Sequence, residues 1–387
     1  PPSTMSTHAT GPRPTNGKFA GFHSLTFWCG NAFQSASWYG ARFGMTRVAY
    51  RGLETGDRSR VKHVMRSGNV FFIFESALNP GDVEMGKWLQ DHGDGVKDVA
   101  FKVDNVQSVY DYAVSHGAKS VKEVWEEEDE GGKVIFATVS TYGDTTHTLV
   151  QGSDDYKGAF LPNFAAVDGA SEDPLLHVLP IPQLSFVDHC VGNQGDQQMV
   201  PVAEFYEKAF NFHRFWTVDD KMIHTEYSSL RSIVMTDYDE KVKMPINEPA
   251  NGKRKSQIQE FVDYHNGAGV QHAALNVENI LQTVPALKAR GVKFLTIPKA
   301  YYKRLAERLA ASPVNIAEDL AVLEEHNILV DFDDQGYLLQ IFTKPLEDRP
   351  TFFMEIIQRC NHEGFGAGNF KALFESIEHE QAKRGNL

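Results

Sequence analysis

The sequence predicts an α+β fold made by duplication, in which each half of the chain curls two βαβββ units into an open, barrel-like sheet. Three internal matches carry this prediction. Gly95-Val-Lys-Asp-Val-Ala-Phe-Lys-Val-Asp-Asn105 returns as Gly269-Val-Gln-His-Ala-Ala-Leu-Asn-Val-Glu-Asn279, and each copy runs through an apolar-periodic stretch to an equivalently spaced glycine, Gly117 or Gly291. A strand closing at Cys29-Gly30-Asn31 has a counterpart closing at Val191-Gly192-Asn193. More faintly, Thr148-Leu-Val-Gln151 resembles Glu355-Ile-Ile-Gln358.

The elements follow in order. Residues 1–18 are rich in Pro, Thr, Ser and Gly and lack the apolar core of a secretory signal, so a disordered tail and a cytoplasmic location are expected. Residues 19–165 form the first domain. Its first strand, Phe22 to Trp28, is followed by a helix carrying Trp38-Tyr39. Val70 to Phe74 has strand length, and Gly95 opens a strand, a helix of about three turns and a glycine stop. Residues 166–183, Pro-rich and acidic, read as a linker. Residues 184–387 repeat the scheme, with a strand from Phe186 to Val191, a helix carrying Phe205-Tyr206, the second Gly-led copy and an apolar strand from Phe352 to Ile357. Phe370, Leu373, Phe374 and Ile377 then follow the i, i+3, i+4, i+7 pattern of a helix with one buried face. Behind the flexible run Gly364-Phe-Gly-Ala-Gly-Asn369, that helix is expected to close the second domain as a lid over about 364–383. A single βαβββ unit cannot bury its sheet face alone. Pairing two gives a concave sheet whose interior suits a buried ligand.

Composition narrows the function. The 387 residues are 42% hydrophobic and 23% charged. No run approaches the roughly 18 to 20 apolar residues of a membrane span, so no membrane role is expected. A formal charge of −13 argues against nucleic acid as a partner. The three cysteines are far apart and form neither a CxxC pair nor a disulfide framework. There is no Gly-rich phosphate loop and no nucleophile elbow.

The chemistry shows where the halves differ. His272 matches Asp98, His189 matches Phe27 when the Gly-Asn strand ends are aligned, and Glu355 matches Thr148. Each of the three lies in an apolar strand. A lone strand histidine is ordinarily a hydrogen-bonded core residue, and a lone strand glutamate sits at an edge or pairs with arginine. Three such residues at equivalent strands of a repeat whose twin lacks them point to one metal per chain. Two imidazoles and one carboxylate form the facial triad of oxygen-activating Fe(II) sites, although zinc fits the same donors. The other histidines, including His213, His224, His265 and His362, lie in polar or loop contexts and are expected at the surface.

These residues carry a resemblance. Asp188-His-Cys-Val-Gly-Asn193, Pro245-Ile-Asn-Glu-Pro249, Gly269-Val-Gln-His272, Gly336-Tyr-Leu-Leu-Gln-Ile-Phe342, Phe353-Met-Glu-Ile-Ile357 and Gly364-Phe-Gly-Ala-Gly-Asn-Phe-Lys-Ala-Leu-Phe374 resemble, in order and spacing, the 4-hydroxyphenylpyruvate dioxygenase family. Glu54-Thr-Gly56 and His92-Gly-Asp-Gly95 extend the likeness into the first half. The resemblance implies the vicinal oxygen chelate fold. It also implies one Fe(II) on His189, His272 and Glu355, and conversion of 4-hydroxyphenylpyruvate and O2 into homogentisate and CO2 in tyrosine and phenylalanine catabolism. It implies substrate contacts from Ser232, Pro245, Asn247, Gln257, Gln271, Gln340, Phe342, Phe365, Asn369, Phe370 and Phe374. Of these, Ser232, Asn247, Gln340 and Phe342 are the expected catalytic set. Gln271 adjoins a ligand on one strand, so its side chain points away unless the strand is bent. The family also implies a homo-oligomer, with a dimer favoured.

Three other readings compete. Hydroxymandelate synthase uses the same substrate, but a smaller aliphatic residue tends to stand where this chain has Phe342. A non-catalytic ligand-binding protein of the same fold would not need an intact triad. An extradiol catechol dioxygenase leaves the amide-rich pocket unexplained.

Overall fold

The computed structural model describes residues 7–168, 173–218, 229–250 and 252–386. The first half forms one sheet from β1 (Phe19–Trp28), β2 (Thr46–Arg51), β3 (Arg60–Ser67), β4 (Val70–Ala77), β5 (Gly95–Val103), β6 (Ser120–Asp129), β7 (Gly132–Ser140), β8 (Thr146–Gln151) and a short β9 (Ala165–Ala166). Their order is β6-β7-β8-β5-β1-β4-β3-β2-β9. The second half repeats it with β10 (Phe186–Asn193), β11 (His213–Val218), β12 (Ser229–Thr236), β13 (Lys243–Ala250), β14 (Gly269–Asn276), β15 (Leu329–Phe332), β16 (Tyr337–Phe342) and β17 (Phe353–Cys360), ordered β11-β12-β13-β10-β14-β17-β16-β15. The duplicated α+β architecture is therefore present. At each centre an antiparallel pair, β1 with β5 or β10 with β14, is flanked on both sides by parallel neighbours.

Local signals place the repeat. Asn105 and Asn279 end the two matching segments, and each caps the next helix by accepting from the backbone N–H three residues on. Those helices, Val106–Ser115 and Ile280–Ala289, have the expected length. After Gly291 the halves diverge. The strand expected there shrinks to one bridge, Phe294 to Thr343, and helices Lys299–Ala310 and Leu320–His326 are inserted before β15.

Register corrects one repeat alignment. Asp98 pairs with Thr26 as His272 pairs with Val191, so Asp98 and His272 are equivalent. His189 then corresponds to Ser24 and not to Phe27. The Gly-Asn ends mislead because Gly30-Asn31 lie beyond β1, whereas Gly192-Asn193 lie inside β10.

The halves share one continuous apolar core. Phe27 meets Phe352 edge-on at 5.3 Å, and Phe19 meets Phe210 and Phe212. Two further expectations are revised. Residues 7–18 carry no helix or strand, but they are tied to the second half. Thr7 N–H donates to the Phe215 carbonyl, His8 meets Glu240, and Arg13 lies over the Tyr238 ring. His265 and His362 are buried, not exposed, and so are His23, His63, His92 and His147. His265 stacks between Phe261 and His92, and His362 accepts from Gly364 N–H. Polar neighbours in sequence do not report such stacking. His213 is half-buried, and His224 lies outside the described residues. No helix among the described residues is long and apolar enough to cross a membrane.

Candidate metal centre and its pocket

Sheet geometry assembles the triad. Strands β10, β14 and β17 are consecutive neighbours, and His189, Ala274 and Glu355 form one row across them. His272 lies two residues from Ala274, on the same face because side chains alternate along a strand. The row needs a small residue between the ligands, and Ala274 supplies it. Glu355 Oε2 lies 3.3 Å from both His189 Nε2 and His272 Nε2. Neighbouring donors on an ion with bonds of about 2.1 Å stand roughly 3.0–3.4 Å apart, so this spacing suits one metal ion. The donor set is that of a facial triad with open positions. A second grouping, His8, Glu240 and Glu363, is largely exposed.

Hydrogen bonds outside the triad point each donor inward. His189 Nδ1 faces Asp188 Oδ1 at 2.8 Å, and His272 Nδ1 faces Gln271 Oε1 at 2.9 Å. Both partners act as acceptors, so the proton sits on Nδ1 and each Nε2 lone pair faces the centre. Gln340 Nε2 donates to Glu355 Oε1 at 2.8 Å and leaves Oε2 free. Burial raises the Glu355 pKa, but the two imidazoles, His189 foremost, overcome this and hold it at about 2. Burial lowers the His272 pKa and prevails over Glu355. At His189 the same burial is outweighed by Glu355 and Asp188, and the net shift is upward. Arg359 holds Asp188 well below the usual carboxylate range despite its burial.

A small cavity of about 60 Å³ lies over the triad. Ser232, Pro245, Asn247, Gln257, Gln271, Gln340, Phe342, Phe365, Phe370 and Phe374 all line it. Ser232 and Asn247 are direct cross-strand partners, and Phe342 stands opposite Glu355. The doubt over Gln271 is answered by a bulge. Val191 pairs with His272 and Gly192 with Val270, so Gln271 is the extra residue and turns toward the pocket. Asn369 is the exception. It is buried behind Gln340, whose Oε1 accepts from its Nδ2, and it does not line the cavity. Apart from the triad, the lining carries no ionisable side chain among the described residues. The C-terminal helix, Phe370–Arg384, turns Phe370, Leu373, Phe374 and Ile377 onto the cavity as the periodicity predicted.

Sequence reasoning missed Trp216, which lines the wall, and Phe353, which stacks on His272 at 4.7 Å. It also missed Arg359, which grips Asp188 with Nε and Nη2, both at 2.8 Å. A signal for it existed, because an Asp beside a buried ligand histidine needs a cation, and Arg359 shares a strand face with Glu355.

The Glyoxalase/Bleomycin resistance protein/Dioxygenase superfamily model matches residues 187–341. The chain is 58% identical over 377 residues to a 4-hydroxyphenylpyruvate dioxygenase of Xenopus tropicalis, covering 97% of this chain and 95% of that protein. It is 56% identical to the Dictyostelium discoideum protein of that name, covering 95% of this chain and 100% of that protein. Among solved structures, a substituted 4-hydroxymandelate synthase from Streptomyces coelicolor superposes with a TM-score of 0.81 at 32% identity, over 93% of this chain and 98% of that one. The full-length likeness to named dioxygenases at well over half identity exceeds that to the synthase, and the chain belongs to the 4-hydroxyphenylpyruvate dioxygenase family.

Proposed function

We propose that the protein binds one Fe(II) through His189, His272 and Glu355 and converts 4-hydroxyphenylpyruvate and O2 into homogentisate and CO2. The observation that carries this is the intact, inward-pointing triad beneath a pocket lined otherwise, among the described residues, by neutral amides, one hydroxyl, aromatic rings and aliphatic side chains. When bound, Fe(II) supplies chelation of the 2-oxo acid and activation of O2 in the positions the triad leaves open. The chain's own residues do the rest. Asp188 and Gln271 orient the imidazoles, and Gln340 keeps Glu355 presenting a single oxygen. Ser232, Asn247 and Gln257 offer neutral partners to the phenol, which costs no added charge in a dry cavity. Phe342, Phe365 and Phe374 wall the ring and exclude water. Because no lysine or arginine among the described residues lines the pocket, a metal held by His189, His272 and Glu355 would be the counter-charge for the substrate carboxylate.

The synthase-like structure supports a second reading on the same substrate. Phe342 argues for the ring-hydroxylating outcome, since its side chain stands beside His272 with ring centroids 6.1 Å apart and fills space on that side. Loading metal-free protein anaerobically with Fe(II), adding substrate and O2, and separating the product decides between them. Homogentisate supports the proposal, and hydroxymandelate replaces it with the synthase. We also propose a cytoplasmic homodimer acting in tyrosine catabolism, which fractionation and sedimentation velocity test.

A further inference from the structure

Two hydrogen-bond chains start at metal ligands and end at opposite ends of one loop. In the first, His189 Nδ1–H donates to Asp188, and Arg359 holds Asp188 with two bonds. Arg359 Nη1 also donates to the carbonyls of His362 at 3.0 Å and Gly364 at 2.7 Å. In the second, Gln340 Nε2 donates to Glu355, Asn369 Nδ2 donates to Gln340 Oε1 at 2.9 Å, and Tyr301 Oη–H donates to Asn369 Oδ1 at 2.7 Å. The loop between those ends, residues 362–369, leads directly into the helix Phe370–Arg384 that covers the pocket.

The second chain has only one possible direction. An ionised Glu355 can only accept, so Gln340 must offer its amide NH2 and turn its oxygen to Asn369. Asn369 must then donate, leaving its own oxygen for the Tyr301 phenol. The phenol has one proton and two acceptors in reach, Asn369 Oδ1 and the Val330 carbonyl at 2.9 Å, while Val330 N–H donates to it at 2.8 Å. Glu355 therefore sets Asn369 Oδ1, at the end of the loop, as the nearer of the two acceptors for that proton. Gln340, Glu355, Asn369 and Tyr301 are all buried, so a missing link is costly. Contact is also steric, because a Cβ at Gly366 would stand 1.8 Å from Gln340 Oε1.

We propose that Tyr301 and Arg359 are positioning residues that couple occupancy of the metal site to docking of the C-terminal helix. This rests on the reading of His189, His272 and Glu355 as the metal ligands. A metal that fixes Glu355 and His189 fixes both chains and with them both ends of the loop. By linkage, a docked helix strengthens metal binding by the same factor.

The test is hydrogen exchange over residues 362–384 of the full chain, metal-free and loaded with Co(II), together with Co(II) affinity by chelator competition. In the unsubstituted protein, Co(II) should slow exchange there about tenfold or more. Tyr301→Phe and Arg359→Lys should still bind Co(II), weakened by at most roughly tenfold because each acts through an outer-shell partner of a ligand, and should lose most of the metal-dependent slowing. Asn369→Ala breaks the same chain while leaving the phenol on Val330, so it serves if Tyr301→Phe does not fold. Tyr301→Phe combined with Asn369→Ala should be no worse than the worse single change. A purely structural role would alter exchange equally with and without metal. Co(II) binding with no change in exchange, or full metal-dependent slowing in Tyr301→Phe, overturns the coupling alone. Failure of the unsubstituted protein to bind Co(II) overturns the metal site as well.

Discussion

At Asp98 the half without a triad keeps a buried carboxylate at the position that His272 takes in its twin. Its Oδ1 accepts from Thr146 and Thr148, yet burial outweighs both and raises its pKa from 3.8 to about 6. Between those values the folded state holds the extra proton, so this group's contribution favours folding below pH 4 and is lost as pH rises through 6. The full penalty above that window is on the order of 3 kcal/mol. Asp98→Asn keeps an acceptor for both threonines, so it should raise the melting temperature at pH 8 and change it little at pH 4. An equal shift at both pH values would contradict this account. At the triad the direction reverses, because protons compete with the metal for each Nε2. Metal retention, followed by dialysis and metal analysis, should fall as pH drops through the histidine range. Phe342→Val should shift the product toward hydroxymandelate, read by chromatography of the reaction mixture.

The C-terminal helix was legible as an element, because its four inward residues repeat at helical spacing. The glycine-rich run from Gly364 to Gly368 that leads into it was legible too. What holds that run was not, because Arg359 and Tyr301 reach it from other strands and helices. Phe374 is 1% exposed and packs in a cluster with Trp216, Phe215 and Phe365. Phe374→Ala should cost about 3–5 kcal/mol where the helix is docked. We expect that loss to appear chiefly as local undocking, with O2 consumed in excess of homogentisate formed. An electrode trace matched to product yield would reveal it, and a coupling ratio unchanged from the unsubstituted enzyme would count against the helix as a closing element.

Across the whole molecule, the two halves are joined by buried polar contacts as well as by the shared core. Arg290 is 1% exposed and donates to the carbonyls of Ala41, Leu179 and Pro180, while Arg42 donates to the Arg290 carbonyl. Arg290→Leu would leave three carbonyls without that donor, at roughly 1–3 kcal/mol each where water cannot replace it. The urea midpoint should fall clearly, and a midpoint within error of the original would show that water substitutes. The cavity of the first half is larger, about 760 Å³ against 60 Å³ in the second, where the C-terminal helix lies across the site.

The family resemblance suggested most of the proposed pocket wall, whereas the duplication, the α+β class and the candidate triad were legible in the sequence alone. These last three follow from local pattern, since apolar periodicity, capping asparagines and polar residues in apolar strands are properties of neighbours along the chain. Only the tertiary structure decided the rest. It showed that Ser24, not Phe27, answers to His189, because register depends on bulges that linear matching cannot see. It turned Gln271 into the pocket through such a bulge and moved Asn369 out of the wall to a place behind Gln340. It buried His265 and His362 by stacking and hydrogen bonds from distant segments. The orientation of every triad residue is likewise set by hydrogen bonds and ion pairs, several of them to residues far away in sequence, and these exist only once the strands are side by side.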